Sequence, residues 1–206
     1  MTRTVLVPRE RVVRWFTNFA GRHGDPDFVV EAGRLLATAP DGSTASAALP
    51  FGCSYGGPAD AESFADAISA PPRWGVLLVR KGGFAVATVT GGRITGSKVG
   101  QRHVQGRTKA GGQSQQRFAR RRDNQAREAY QAAADHAARI LPGVAALVCG
   151  GDRQAVEQVL VDSRLRSLAE LRVEPWLAVA DPRRAVLEQA VTDGGSVAIT
   201  VTSDEG

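Results

Sequence analysis

The sequence predicts an α/β protein, an α+β mixed sheet flanked by helices, and three observations carry that prediction. Trp74–Arg80, Phe84–Thr90 and Arg93–Gly100 are strand-like runs joined by Lys81-Gly82-Gly83 and Gly91-Gly92, turn signals that describe a three-stranded antiparallel meander. Phe118, Ala126, Ala129, Tyr130, Ala133, Ala137, Ile140 and Leu141 then fall at helical spacing, the period of a helix buried along one side. Beyond Pro142-Gly143, strand-like and helical stretches alternate to the end of the sequence, as α/β units do.

Taken in order, residues 9–20 read as an amphipathic helix through Val12, Val13, Trp15, Phe16 and Phe19. Phe28–Leu36 and Ser43–Leu49 read as two strands around the Pro40-Asp41-Gly42 turn, and Pro58–Ile68 as a second helix. Pro71-Pro72 punctuates the chain, so residues 1–73 are expected to form a small N-terminal α+β subdomain and 74–206 a second domain. In that domain a Gly-, Gln- and Arg-rich loop, 101–113, follows the meander, and the long helix occupies 114–141, ~42 Å at 1.5 Å per residue. A strand at 144–149, a helix at 152–160, a helical stretch at 163–172, a strand at 176–180, a helix at 182–192 and a strand at 196–202 complete it. Asp152, and Asp181 before Pro182, supply N-cap signals. A meander, one long helix and then alternating units make a ribonuclease-H-like layout.

The composition excludes several classes. With 43% hydrophobic and 23% charged residues over 206 positions, the chain is globular rather than disordered. Cys53 and Cys149 cannot make a disulfide framework, no apolar run approaches ~18 residues, and the first residues lack a signal-peptide core. A cytoplasmic location with no membrane partner is the expectation. The net charge of +5 is uneven: Lys98, Arg102, Arg107, Lys109, Arg117, Arg120, Arg121, Arg122 and Arg127 face only Asp123 within residues 98–127. Such a cluster fits a polyanion.

Three motifs fail on context. Gly52-Cys53-Ser54-Tyr55-Gly56 matches a nucleophile elbow, but Pro50 interrupts the approaching strand and the helix starts too late, so an esterase built on Ser54 is a minor reading. Gly91 to Lys98 resembles a phosphate-binding loop but ends Gly-Ser-Lys and lies between strands. Three histidines and two cysteines, far apart in sequence, offer no metal-ligand spacing, and no metal or other cofactor is expected.

The specific signal is Gly106-Arg107-Thr108-Lys109-Ala110-Gly111-Gly112-Gln113-Ser114-Gln115-Gln116-Arg117-Phe118-Ala119-Arg120-Arg121-Arg122. This string resembles the catalytic middle domain of eukaryotic and archaeal class I peptide-chain release factors. The match is tight over 107–122, and the strand order agrees over 74–206. Two departures stand out. Ala110 occupies the position before the glycines where a basic residue is usual, and residues 1–73 are too few for a codon-reading and a GTPase-recruiting domain. The chain is therefore most similar to stand-alone bacterial release-factor-like peptidyl-tRNA hydrolases of ribosome-associated quality control.

The resemblance implies codon-independent cleavage of nascent peptide from tRNA on stalled large ribosomal subunits. Gly111, Gly112 and Gln113 would be catalytic; Arg107, Lys109, Arg117, Arg120, Arg121 and Arg122 would contact RNA. Ribosomal RNA and peptidyl-tRNA are the implied partners, not DNA. Residue chemistry agrees: paired glycines let backbone enter a crowded cavity at positive φ, and the Gln113 amide can orient water and donate to an oxyanion. The motif holds no general base, so the proton path implied by the resemblance runs through the terminal ribose hydroxyl. Gln115, and then Gln116, are the alternative glutamines, both expected in the first helical turn. A basic module that binds ribosomes or tRNA without hydrolysis is the competing class. A ribonuclease-H-type nuclease is disfavoured because no acidic cluster accompanies the meander.

Overall fold

Apolar residues on one side of short segments build two sheets, in a computed structural model that describes the backbone of residues 1–101 and 113–203 and the side chains of 1–101 and 126–203. The N-terminal segment forms β1 (Thr2–Val7), a 3-10 turn (Arg9–Arg11) and α1 (Val12–His23), whose Val12, Phe16 and Phe19 are buried. The predicted strand 28–36 is instead a hairpin of β2 (Asp27–Glu31) and β3 (Arg34–Thr38). Its turn places Ala32 at φ 48° and Gly33 at φ 75°, and an alanine in the left-handed region gives no turn signal in sequence. β4 (Thr44–Ala48) follows, then α2 (Ala61–Asp66), capped by the Asp60 carboxylate accepting from the Ser63 N–H at 2.7 Å.

The second unit comprises β5 (Arg73–Arg80), β6 (Gly83–Thr90), β7 (Arg93–Gln101), α3 (Gln113–Ile140), β8 (Leu147–Gly151), α4 (Arg153–Leu160), α5 (Arg166–Glu170) and β9 (Arg172–Leu177). α6 (Arg184–Gly194) and β10 (Val197–Thr202) complete the chain. The sheet order is β7-β6-β5-β8-β9, with β5, β6 and β7 antiparallel and β8 and β9 parallel to β5. This is the predicted ribonuclease-H-like arrangement. β9 begins four residues before the expected 176–180, because Pro175 reads as a strand breaker although an edge strand tolerates it. α6 begins three residues after Asp181, so that aspartate is not its cap, whereas Asp152 does cap α4 through the N–H groups of Gln154 and Ala155.

α3 is the element that positions the candidate site, and its C-terminal half is held from several sides. Ala133 and Ala137 are fully buried against the sheet. Gly75 of β5 lacks the Cβ that would approach Leu141 Cδ2 to 2.8 Å, so the chain leaving α3 can press on the sheet there. The Thr88 hydroxyl donates to the carbonyl of Ile140, one of the helix's last, unpaired acceptors. Among the described residues no helix is long and apolar enough to cross a membrane.

β10 overturns the expected division of the chain at residue 73. It lies between β1 and β4, antiparallel to both, completing the sheet β1-β10-β4-β3-β2. Contacts accordingly group Thr192–Gly206 with Met1–Ala70, and Pro71–Val191 separately. Local sequence carries no mark of a pairing that spans some two hundred residues. We predict that truncation before Ser196 unfolds the first sheet. It removes Val197, Ile199 and Val201 from the core, at about 1.5–3 kcal/mol each, comparable to a domain's whole stability. Amide exchange should show β1 and β4 losing protection; retained protection would refute the central role of β10.

Candidate functional site

Segment 102–112 joins the end of β7 to the start of α3, so those two ends form its base. β6 and β7 meet there in the pairs Gly83↔Gln101 and Phe84↔Gly100. A Cβ on Gly83 would stand 2.5 Å from the Gly100 carbonyl oxygen, and one on Gly100 would stand 2.6 Å from Phe84 Cζ. Both positions therefore need glycine's small volume: at Gly83 the space goes to the Gly100 carbonyl, and at Gly100 to the Phe84 ring. That ring stacks on His136 of α3 with centroids 5.6 Å apart and planes 27° apart, linking the strand end to the helix.

His136 is held neutral. Burial pushes its pKa below the ordinary 6.5, and the nearby charges of Arg139 and Lys98 push the same way. Arg139 Nη2 lies 3.2 Å from His136 Nδ1; a guanidinium only donates, so Nδ1 accepts and the ring proton sits on Nε2. Immediately before His136 in sequence, Asp135 accepts from Arg164 Nη2 at 2.7 Å, while Asp162 takes the same guanidinium at 2.9 Å and 2.7 Å. Arg164 thus ties α3 to the turn after α4. The hydrogen bonds from Arg164 lower both carboxyls, Asp162 to about 2.

Of the sequence-predicted residues, Arg107, Lys109, Gly111 and Gly112 lie outside the described residues. Gln113 was expected as the last loop residue; it is the first residue of α3. Gln115, Gln116, Arg117, Arg120, Arg121 and Arg122 belong to the same helix, with side chains outside the described set. Of the basic cluster, Lys98 and Arg127 are described, and both are exposed. Burial along α3 begins, among the described residues, at Ala129, so Gln113 stands ~24 Å along the axis from the first packed turn.

Sequence reading missed the positioning residues Phe84, Gly100, His136, Thr88 and Arg164. A glycine within β7 was the sole available hint.

The decoy motifs do not assemble. Ser54 is exposed, α2 begins at Ala61, and among the described residues no histidine bonds Ser54, so no nucleophile elbow forms. Burial pushes the Cys149 thiol up to about 12, leaving it protonated and inert at neutral pH. Among the described residues no group of three or more His, Cys, Asp or Glu could hold a metal.

A family model described as "Actinobacteria/chloroflexi VLRF1 release factor" matches residues 72–200. Among solved structures, the chain is similar to the "Vms1 mitochondrial localization core", with 13% identity and a TM-score of 0.44 over 91% of this chain and 81% of that one. It is also similar to an archaeal translation termination factor, aRF1, with 12% identity and a TM-score of 0.39 over 77% of this chain and 51% of that one. No curated protein sequence matches it.

The Arg164 network has a defined pH signature. Because Asp162 titrates lower in the folded chain than the ~3.9 of an unfolded aspartate, its contribution is complete above that value and is lost as pH falls through about 2. Arg164→Leu should lower the melting temperature by a few degrees at pH 6. The gap to wild type should close between pH 4 and 2; a gap unchanged down to pH 2 would mean that Arg164 acts by packing alone.

Proposed function

The chain belongs to the Actinobacteria/chloroflexi VLRF1 release factor family, and on that footing we propose that it is a peptidyl-tRNA hydrolase releasing nascent peptides on stalled large ribosomal subunits, without reading a codon. The observation that carries this reading is the place of Gly111-Gly112-Gln113 in the chain, at the junction of segment 102–112 with the start of α3. Release-factor-like action in translation is the family's character; hydrolysis, the large subunit and a cytoplasmic site of action are the finer proposal.

The chemistry follows from that junction. The Gln113 backbone N–H is among the four donors at the start of a helix that have no intrahelical partner. Such donors, at the positive end of the helix, favour an oxyanion developing on the ester carbonyl. In the proposed step, Gly111 and Gly112 let the backbone approach the tRNA end, and the Gln113 side chain orients the attacking water. Water adds to the carbonyl carbon, the ester C–O bond breaks, and the departing ribose oxygen takes the proton. Arg107, Lys109, Arg117, Arg120, Arg121 and Arg122 neutralise phosphates of tRNA and ribosomal RNA. The scheme uses no metal or cofactor.

The test mixes purified chain with large-subunit complexes that carry peptidyl-tRNA but no messenger, and follows the peptide–tRNA bond on a gel. Release supports the hydrolase, whereas binding without release supports a non-catalytic module. Gln113→Ala, which removes the water-orienting side chain, and Gly112→Ala, which restricts the backbone approach, should each slow release by ~10² while leaving subunit binding intact, the loss that misplacing a reacting group brings. If Gln115→Ala is the dead variant and Gln113→Ala stays active, the assignment moves two residues along the helix. Separately, Arg120→Glu with Arg121→Glu should weaken subunit binding and flatten its salt dependence; an unchanged slope would show that this face is merely solvated.

A further inference from the structure

A groove in the first unit, remote in sequence from the glycine-glycine-glutamine motif, is built for a different contact with RNA. Two cavities of about 400 Å³ and 510 Å³ run beside α1 and the edge strand β1, and both are lined by Trp15 and Asn18. The first also takes in Arg3 and Arg22, the second Arg11 and Arg14. On α1 and the turn before it, Arg11, Arg14, Trp15, Asn18 and Arg22 fall three, four, seven and eleven residues from the first, which is one face of a helix. Among the described residues, neither cavity is lined by a carboxylate.

The charge at this groove is unusual for the unit that carries it. Residues 1–70 and 192–206 hold six arginines against eleven acidic residues, yet four of the six arginines line the groove. Arg9, off the groove, is paired with Asp66 at 3.4 Å; Arg3, Arg11, Arg14 and Arg22 have no acidic partner among the described residues. His23 is already engaged, its Nδ1 lying 2.8 Å from Asp41. The aromatic member is fixed in place: Trp15 stacks on Phe19 with centroids 5.7 Å apart and planes 12° apart, and Phe16 meets it edge-on at 5.1 Å. The rest of the indole, half-buried, lines both cavities.

We propose that this groove binds a single-stranded RNA segment, the arginines meeting successive phosphates and Trp15 stacking on an unpaired base. Arg11 to Arg22 spans ~16 Å of helix axis, about five nucleotide steps at the 3.4 Å rise of a stacked strand. A rigid indole among unpaired cations is the arrangement with which single-strand binders hold bases of any sequence, and Asn18 beside it can bond a base edge. A paired duplex would offer the indole no open base face. This inference is independent of the proposed hydrolysis.

Fluorescence anisotropy of a labelled twelve-residue oligouridylate tests it with the full chain. The Arg120→Glu/Arg121→Glu background weakens the other basic cluster, in which seven of nine basic residues remain. Residual binding is expected there, and Trp15→Ala should weaken it roughly 5- to 150-fold, the range for loss of one stacked base. Trp15→Phe, which keeps a stacking ring, should restore most of it and guards against misfolding of the alanine variant. Arg11→Gln/Arg14→Gln/Arg22→Gln should lower the salt slope by about 2, as three lost phosphate contacts on a single strand imply. Absence of residual binding in that background overturns the proposal, as does binding unchanged by both the Trp15 and arginine variants. Capture of a poly-glutamate peptide in preference to the oligouridylate, abolished by the same variants, would overturn it in favour of an acidic-peptide site.

Discussion

The close seating of α3 on its sheet is the constraint from which the candidate site takes its position. Helix and sheet approach closely only where side chains are small, and here the contact is made by Ala133 and Ala137, with Gly75 vacating the volume that Leu141 fills beside it. Thr88 then satisfies a carbonyl at the helix end, and Arg164 fixes Asp135 laterally. These contacts set both the axial position of α3 and its rotation. From Ala129 to Gln113 the helix continues for four to five turns, and each residue turns it by ~100°. One residue inserted in that stretch would therefore swing Gln113 to another side of the axis while leaving the packed half untouched. The role proposed for Gln113 thus depends on a register fixed more than 20 Å away.

The stem of segment 102–112 obeys the same logic on a smaller scale. Gly100 leaves the space that Phe84 occupies, Gly83 leaves room for the Gly100 carbonyl, and Phe84 stacks on His136. Because His136 accepts from Arg139 and lies beside Lys98, its protonation would add a third positive charge to a half-buried site. The ring is thus suited to be a neutral packing surface. It connects strand and helix.

Legibility in the sequence divided along local and long-range lines. The meander was plain because Gly82-Gly83 and Gly91-Gly92 mark both turns, and α3 because its apolar period runs unbroken to Pro142-Gly143. The β2–β3 hairpin was not, since its turn uses Ala32 in a conformation that alanine seldom adopts. β10 reads as a strand from its own residues, but its place in the first sheet does not, because its partners β1 and β4 lie at the far end of the chain. At the candidate site, the Gly-Gly-Gln string and its flanking arginines were legible as a motif. Gly75, Thr88 and Phe84 were not, since each takes its meaning from a residue 50 to 70 positions away. The α1 stripe was half legible: residues 9–20 read as an amphipathic helix, and Trp15 was counted with its apolar face, although it also lines the groove among Arg11, Arg14 and Arg22.

The two units divide the charge in opposite senses, and this bears on how a polyanion would meet each of them. Pro71–Val191 holds twenty basic and ten acidic residues, so its attraction acts at a distance, within the roughly 10 Å over which salt leaves a field standing. The other unit is net acidic, and an approaching nucleic acid is repelled except along the face where Arg11, Arg14 and Arg22 lie in line. A favourable contact there must be short-ranged and oriented. Stacking on Trp15 has both properties, because it requires a base within van der Waals distance of one ring. A strongly basic unit thus suits capture of RNA, and an acidic unit with one basic stripe suits fixing the direction in which a strand lies.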